Sequence, residues 1–282
     1  MTILFKNENT RSEDYDSFRE NPRPGHADFT ANLKYGGFND PRGGGAFSGR
    51  MTLAIVAAGV VAKKLLHFAR IKASLIEVGG QKDPEGWKAA LEAAKAEGDS
   101  LGGVVECQVE GLPVGLGEPF WDSVESRISH AIFAIPGVRG IEFGDGFAAA
   151  RMKGSEHNDL FPEHHCCHEG EEGHTCHSER SEGICDDGHE CHCHEDGHEC
   201  HHGEEGHHCC HHHQPQPPVT NHAGGINGGL TNGNPVVFRV AFKPTASIAK
   251  SGIPGRHDSC FALRTPVIVE AMAALVLVDL AL

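Results

Sequence analysis

Beyond residue 50 the chain switches repeatedly between two hydrophobic rhythms, one of period near 3.6 and one of period 2. "RMTLAIVAAGVVAKKLLHFA" (50–69) is rich in Ala and Leu, carries its lysines late, and predicts a helix. "IKASLIEVGG" (71–80) predicts a strand that ends at a glycine turn. "KDPEGWKAALEAAKAEGDS" (82–100) gives the clearest helix: Asp83 is placed to cap it, Pro84 sits at its first position, Glu85 suits its positive end and Gly98 closes it. "GGVVECQVEGLP" (102–113) predicts a strand, "DSVESRISHAIFAIP" (122–136) a helix stopped by Pro136, and "VRGIEFGDGF" (138–147) a strand and turn. Far downstream, "NPVVFRVAFKP" (234–244) predicts another strand, and residues 265–282 a last helix. Residues 1–8 alternate enough to be a strand. Residues 9–49, rich in Asn, Arg, Pro and Gly, predict a long loop of the kind that carries function or stays disordered. Irregular mixing of strands and helices predicts an α+β fold.

Composition changes the picture in one place. The net charge is −15, but fourteen Asp and Glu against one Arg between Glu163 and His213 account for −13 of it. The rest is close to neutral, without the basic field that a nucleic-acid partner needs. Nine of the eleven cysteines lie between Cys166 and Cys210, leaving Cys107 and Cys260, too few for a disulfide scaffold. The opening "MTILFKNENTRSEDYD" does not read as a signal peptide. Segments 53–66 and 267–282 are too short or too charged to cross a bilayer; the second contains Glu270 and Asp279. A cytoplasmic, reducing location and no membrane partner are expected.

The acidic segment also holds sixteen His and nine Cys between His164 and His213, with Gly-His-x-Cys-His units at 173–177, 188–192 and 197–201 and a degenerate copy at 206–210. Thiolate and imidazole suit zinc and softer divalent ions, and Cys191, His192, Cys193, His194, Cys200 and His201 are candidate ligands. A folded zinc module needs apolar residues between its ligand pairs, yet Ile184 is the sole aliphatic residue from His164 to His213. The expectation is a flexible polychelate with no specific site. It would be a low-complexity insertion over 160–220, unstructured without metal, dividing a core made of 1–159 and 221–282.

The flanks carry a different signal. In order they read "NTRSEDYDSFRENPRPGHADFTANLKYGGFNDPRGGG", "GDSLGG", "GLGEP" and "VRGIEFGDGFAAARMKGSEHND". After the tract come "NHAGGINGGLTNGNPVVFRVAFKPTASIAK", "GRHDSC" and "PVIVEAMAALVLVDL". These blocks strongly resemble chorismate synthase. The resemblance implies a β-α-β sandwich with helices between two antiparallel sheets, a cytoplasmic homotetramer, and a place in aromatic amino acid biosynthesis by the shikimate pathway. The implied reaction is the 1,4-anti elimination of phosphate from 5-enolpyruvylshikimate 3-phosphate, with reduced FMN required and no net redox change. Whether NADPH reduces the flavin on this chain is left open.

By the same resemblance, His26 of "RPGHAD" matches a catalytic histidine beside the reduced flavin, and Asp258 of "GRHD" matches a carboxylate that helps remove the substrate proton. An imidazole titrating near neutrality suits such proton exchange. Arg50 and Arg256 match positions that grip substrate, Arg256 also touching flavin; guanidinium is suited to phosphate and carboxylate. Flavin contacts fall on Ala46, Phe47 and Ser48, on Gly228, and on Lys243, Pro244, Thr245, Ala246 and Ser247. Glycine lets backbone approach a cofactor, and Lys and Thr suit its phosphate or carbonyls.

The chain also departs from the family. A "GESHG"-type motif with a second histidine and an "RRPGQ"-type arginine pair, which the family places ahead of "NTRSEDY", do not occur, so an N-terminally truncated form is expected. "AFSGR" stands where many members have Arg-Ser-Ser-Ala-Arg, which leaves Ala46 and Phe47 backbone or stacking contacts. The stretch between "KPTASI" and "GRHD" is shorter than usual, and Ser259 replaces a customary Pro. The alternative is an inactive truncated homologue whose His/Cys-rich loop binds metal ions.

Overall fold

The alternating segments form strands, and the strand farthest downstream lies inside the sheet. The computed structural model describes residues 2–6, 17–40, 42–162, 216–253 and 258–282. In chain order its elements are α1 (Asp28–Lys34), α2 (Thr52–Leu65), β1 (Arg70–Val78), α3 (Pro84–Ala96), β2 (Gly103–Glu110), α4 (Val124–Ile132), β3 (Val138–Phe143) and α5 (Gly154–His157). Then come β4 (Ile226–Asn227), β5 (Leu230–Thr231), β6 (Val236–Phe242) and α6 (Pro266–Ala281). The chain divides into two units, one made of Met1–Asp159 with Thr220–Leu282, the other of Leu160–Val219. In the second unit the described residues are 160–162 and 216–219, where the Val219 N–H donates to the Leu160 carbonyl at 2.9 Å.

In the first unit the sheet order is β1-β2-β6-β3, with every pairing antiparallel. β6 therefore sits between two strands that precede it by about a hundred residues or more, and the segments on either side of 160–219 share one sheet. Alternation sets its faces: Val236, Phe238, Val240 and Phe242 are buried, with Cys107 of β2 opposite Phe238. On the other face Arg239 pairs with Glu106 of β2 at 2.9 Å and Glu142 of β3 at 3.3 Å. That is a cross-strand charge ladder where the side chains meet water.

Helices cover the buried face. α6 is apolar on nearly all sides, with Val269, Ala273, Ala274 and Leu277 fully buried, as expected of a helix enclosed by the sheet, α2 and α4. α2 and α6 approach closely at Gly59, where a Cβ would lie 2.6 Å from the Ala271 Cα. Glu270 accepts the edge-strand Ala73 N–H at 2.8 Å and pairs with Lys63 of α2, tying both helices to β1.

The mixed α+β class with antiparallel sheets is as expected, and Asp83 caps α3 by accepting the Glu85 N–H at 3.1 Å. Three details differ. Residues 2–6 form no strand among the described residues; Ile3 and Phe5 instead line an apolar groove with Ala58, Val61 and Leu275. The expected loop 9–49 contains α1 and a 3-10 turn at Arg42–Phe47, because short helical turns need no long hydrophobic period. The hairpin β4–β5 has two-residue strands, too short to register as alternation. Among the described residues no helix is long and apolar enough to cross a membrane.

The close approach at Gly59 generates a prediction. Gly59→Val overpacks the α2–α6 contact and should destabilise the protein by about 1–3 kcal/mol. Urea unfolding followed by circular dichroism should show a lower midpoint with an unchanged slope; an unchanged midpoint would contradict the packing.

Candidate active site

Where β6 ends at Phe242, three chain segments come together. The first is the "RPGHAD" turn, whose backbone leaves the left-handed Gly25 (φ +69°) and enters α1 at Asp28. Asp28 is its anchor. One carboxylate oxygen accepts the Arg23 N–H at 3.0 Å and Arg23 Nε–H at 2.7 Å; the other accepts from Arg23 Nη2 at 2.8 Å and lies 2.6 Å from His26 Nδ1. The Arg23 and Asp28 side chains are each only 9% exposed. Burial pushes the Asp28 carboxyl up, but the Arg23 hydrogen bonds outweigh it and hold the group below the usual carboxylate range. His26 is shifted down, first by burial and then by the Arg23 charge, against the opposing pull of Asp28.

The second segment is Lys243–Ser247, which continues β6. The Lys243 N–H donates to Gly137, and its Nζ donates to the Gly25 carbonyl at 2.5 Å, fastening the histidine turn to the sheet end. Arg23 Nη1 reaches Ser247 Oγ at 3.4 Å, and a Cβ on Gly25 would lie 3.5 Å from that of Ala246. Burial, then the charge of Arg139, lowers the Lys243 pKa. Ser100 Oγ donates to the Thr245 carbonyl at 2.8 Å, while Thr245 Oγ1 is buried with no hydrogen-bond partner among the described residues.

The third segment is the turn after the glycine triplet. Gly44 is buried at φ +85°, and a Cβ there would lie 3.4 Å from Ser48 Cβ and 3.8 Å from His26 Nε2. Ser48 Oγ accepts the Arg50 N–H at 3.3 Å; Ala46, Phe47 and Arg50 are exposed. His26, Ser48 and the Lys243–Ser247 segment, separate in sequence, thus adjoin.

Asp258 lies at the same end of the sheet. Its neighbour Ser259 accepts the Leu101 N–H at 2.7 Å, and Asp258 accepts from Arg264 Nη2 at 2.6 Å, with no hydrogen bond or ion pair to His26 among the described residues. Gly228 turns the β4–β5 hairpin, whose Gly229 carbonyl accepts the Val124 N–H at 3.0 Å. That hairpin adjoins the Val236 end of β6, so the seven-residue strand, about 20 Å long, separates it from Lys243. Arg256 lies outside the described residues, as do Cys191, His192, Cys193, His194, Cys200 and His201. Among the described residues no cluster of three or more His, Cys, Asp or Glu could hold a metal. The parts that sequence reasoning left out are Arg23, Asp28 and Gly44. The first two stand in the same six-residue motif as His26, and opposite charges flanking a histidine were the available signal.

The sequence model of chorismate synthase matches residues 1–282. A chorismate synthase of Chitinophaga pinensis is 50% identical over 294 residues, covering 99% of this chain and 73% of the relative. One from Korarchaeum cryptofilum is 36% identical, covering 99% and 75%. A crystal structure of chorismate synthase superposes with a TM-score of 0.62 at 26% identity, covering 90% of this chain and 69% of that one. The chain belongs to the chorismate synthase family.

Proposed function

We propose that this chain acts in chorismate formation, eliminating phosphate from 5-enolpyruvylshikimate 3-phosphate at the end of the sheet where β6 stops. The observation that carries the reading is the convergence of His26, Ser48 and Lys243–Ser247, three separated motifs of the family, in one place. The residues fit a flavin mononucleotide. Thr245 Oγ1 is a buried hydroxyl without a partner among the described residues, Lys243 brings positive charge, and Gly44 keeps open the space beside His26 that a Cβ would enter. The backbone at Ala46 and Phe47, with Ser48, Pro244, Ala246 and Ser247, would complete its walls. Reduced FMN, when bound, supplies an electron-rich ring next to the substrate.

The chain's own residues take the following parts. Arg50 and Arg256 bind the anionic groups of the substrate. His26 holds and moves a proton at Nε2, and Asp258, released from Arg264, takes the proton lost from the substrate. Gly228 lies beyond the Val236 end of β6 and Lys243 just past its Phe242 end. Gly228 reaches the site from a second copy, in the homotetramer that the family resemblance implies. The tract over 160–220 is proposed as an insertion that binds several divalent ions at mixed affinities in a reducing cytoplasm.

Two outcomes are expected. With substrate present, reduced FMN should bind under anaerobic titration, and Lys243→Ala should weaken it about tenfold or more, the worth of one charged hydrogen bond. Phosphate release should fall about 10²-fold or more in His26→Ala relative to the unsubstituted chain. Unchanged flavin affinity and unchanged phosphate release would remove the reading.

The ends of the tract are closed independently of its length: Asp159 accepts from Thr220 Oγ1 at 2.7 Å and from the His222 and Ala223 N–H groups at 2.8 and 2.9 Å. Replacing residues 164–213 by a short Gly-Ser linker should therefore leave the thermal unfolding midpoint and the helical circular dichroism of the remainder unchanged. Zinc titration of the whole chain should show several ions with graded affinities. Loss of the fold on deletion, or a single stoichiometric ion, would contradict the insertion reading.

A further inference from the structure

His26 has one proton to place between two ring nitrogens, and its surroundings are not symmetric. We infer that Arg23 and Asp28 are positioning residues that hold His26 as the neutral imidazole with its proton on Nδ1 and its lone pair on Nε2, turned toward the Gly44–Ser48 segment. This rests on the reading of His26 as the proton carrier of the site.

Asp28 sets which way the contact with the ring points. An ionised carboxylate only accepts hydrogen bonds, and Arg23 keeps this one ionised. The proton in the 2.6 Å contact between Asp28 and His26 Nδ1 must then belong to the ring. Nor can the carboxylate swing away, because three nitrogens of Arg23 hold both its oxygens. With Nδ1 fixed as the donor, Nε2 is left as the acceptor. Arg23 Nη2, 3.2 Å away, can donate to that lone pair from one side, and on the other stands Gly44, which at φ +85° stays a residue without a side chain and leaves room for a reacting group.

A second proton is opposed. Arg23 Nη2 stands 3.0 Å from Nδ1 and 3.2 Å from Nε2, and Lys243 at the end of β6 adds further positive charge. Among the described residues Asp28 favours the imidazolium; residues 44–48 carry no charged side chain. Burial and the two cations outweigh Asp28, so the ring is neutral near pH 7. The device thus separates two tasks. Asp28 selects which nitrogen carries the single proton, and the cations make Nε2 ready to pass on any second one. In a transfer Nε2 accepts one proton, the ring becomes imidazolium with Nδ1–H still on Asp28, and the same proton leaves again from Nε2.

The test is two-bond proton–nitrogen correlation spectroscopy on the whole chain labelled with ¹⁵N-histidine. Among its 22 histidines, His26 is assigned as the signal absent from His26→Gln. The unsubstituted protein should show a protonated Nδ1 and a bare Nε2 at neutral pH. In Asp28→Asn the amide can offer an N–H to Nδ1, and the proton should move to Nε2. The titration midpoint of His26 should fall in Asp28→Asn and rise in Arg23→Gln, opposite shifts that mere loosening of the turn would not give. A proton on Nε2 in the unsubstituted protein would overturn the inference even if neither variant folds. So would shifts in the same direction, or none. Adding reduced FMN and substrate separates this from the site reading. If the tautomer behaves as stated but the His26 signals ignore both ligands, the tautomer stands and the placement of the site falls.

Discussion

Arg23 meets Asp28 through its backbone N–H and two guanidinium nitrogens, and on that pair the candidate site depends. Residues 17–51 have almost no core of their own. Ala31 is their one buried hydrophobic side chain among the described residues, while Phe29, Leu33, Phe38, Phe47 and Met51 face solvent. Hydrophobic burial cannot fix such a segment. Charged hydrogen bonds, each contributing about 1.5–3 kcal/mol net, can. Arg23 closes the turn on Asp28 and reaches Ser247, and Lys243 fastens Gly25 from the sheet side. The same bonds that hold the segment orient His26.

The sheet gives those bonds something rigid to pull against. β6 is paired on both sides and buried on alternate residues, so the position of Lys243 just past its end is set by the core. The helix layer secures the other strands: Gly59 lets α2 and α6 meet, and Glu270 joins both to the edge strand β1. A polar site on loops at the end of a rigid sheet is a common division of labour between scaffold and chemistry. Asp159 gathers Thr220, His222 and Ala223, so the chain on either side of 160–219 is joined within the same scaffold.

Much of this was legible in the sequence. Helix α3 announced itself through Asp83, Pro84 and Gly98, and the strands through alternation, because both signals are local. His26 and the Lys243–Ser247 block were legible through motif resemblance. What was hidden depends on distance along the chain. No local pattern says that β6 inserts between β2 and β3, since register and order come from burial of faces that only the folded sheet defines. The tie between Lys243 and Gly25 spans 218 residues. The separation of Gly228 from Lys243 follows from the two ends of one strand, and nothing near either residue signals it. Arg23 and Asp28 were in plain view beside His26, but their pairing needs the turn geometry.

Charge, not core, assembles the site on a preformed sheet. Hydrogen exchange followed by mass spectrometry, comparing the unsubstituted chain with Arg23→Gln, tests it most directly. The account predicts loss of protection across residues 17–51, with β2, β6 and α6 exchanging as before. Equal loss in the sheet, or full protection retained in 17–51, would contradict it.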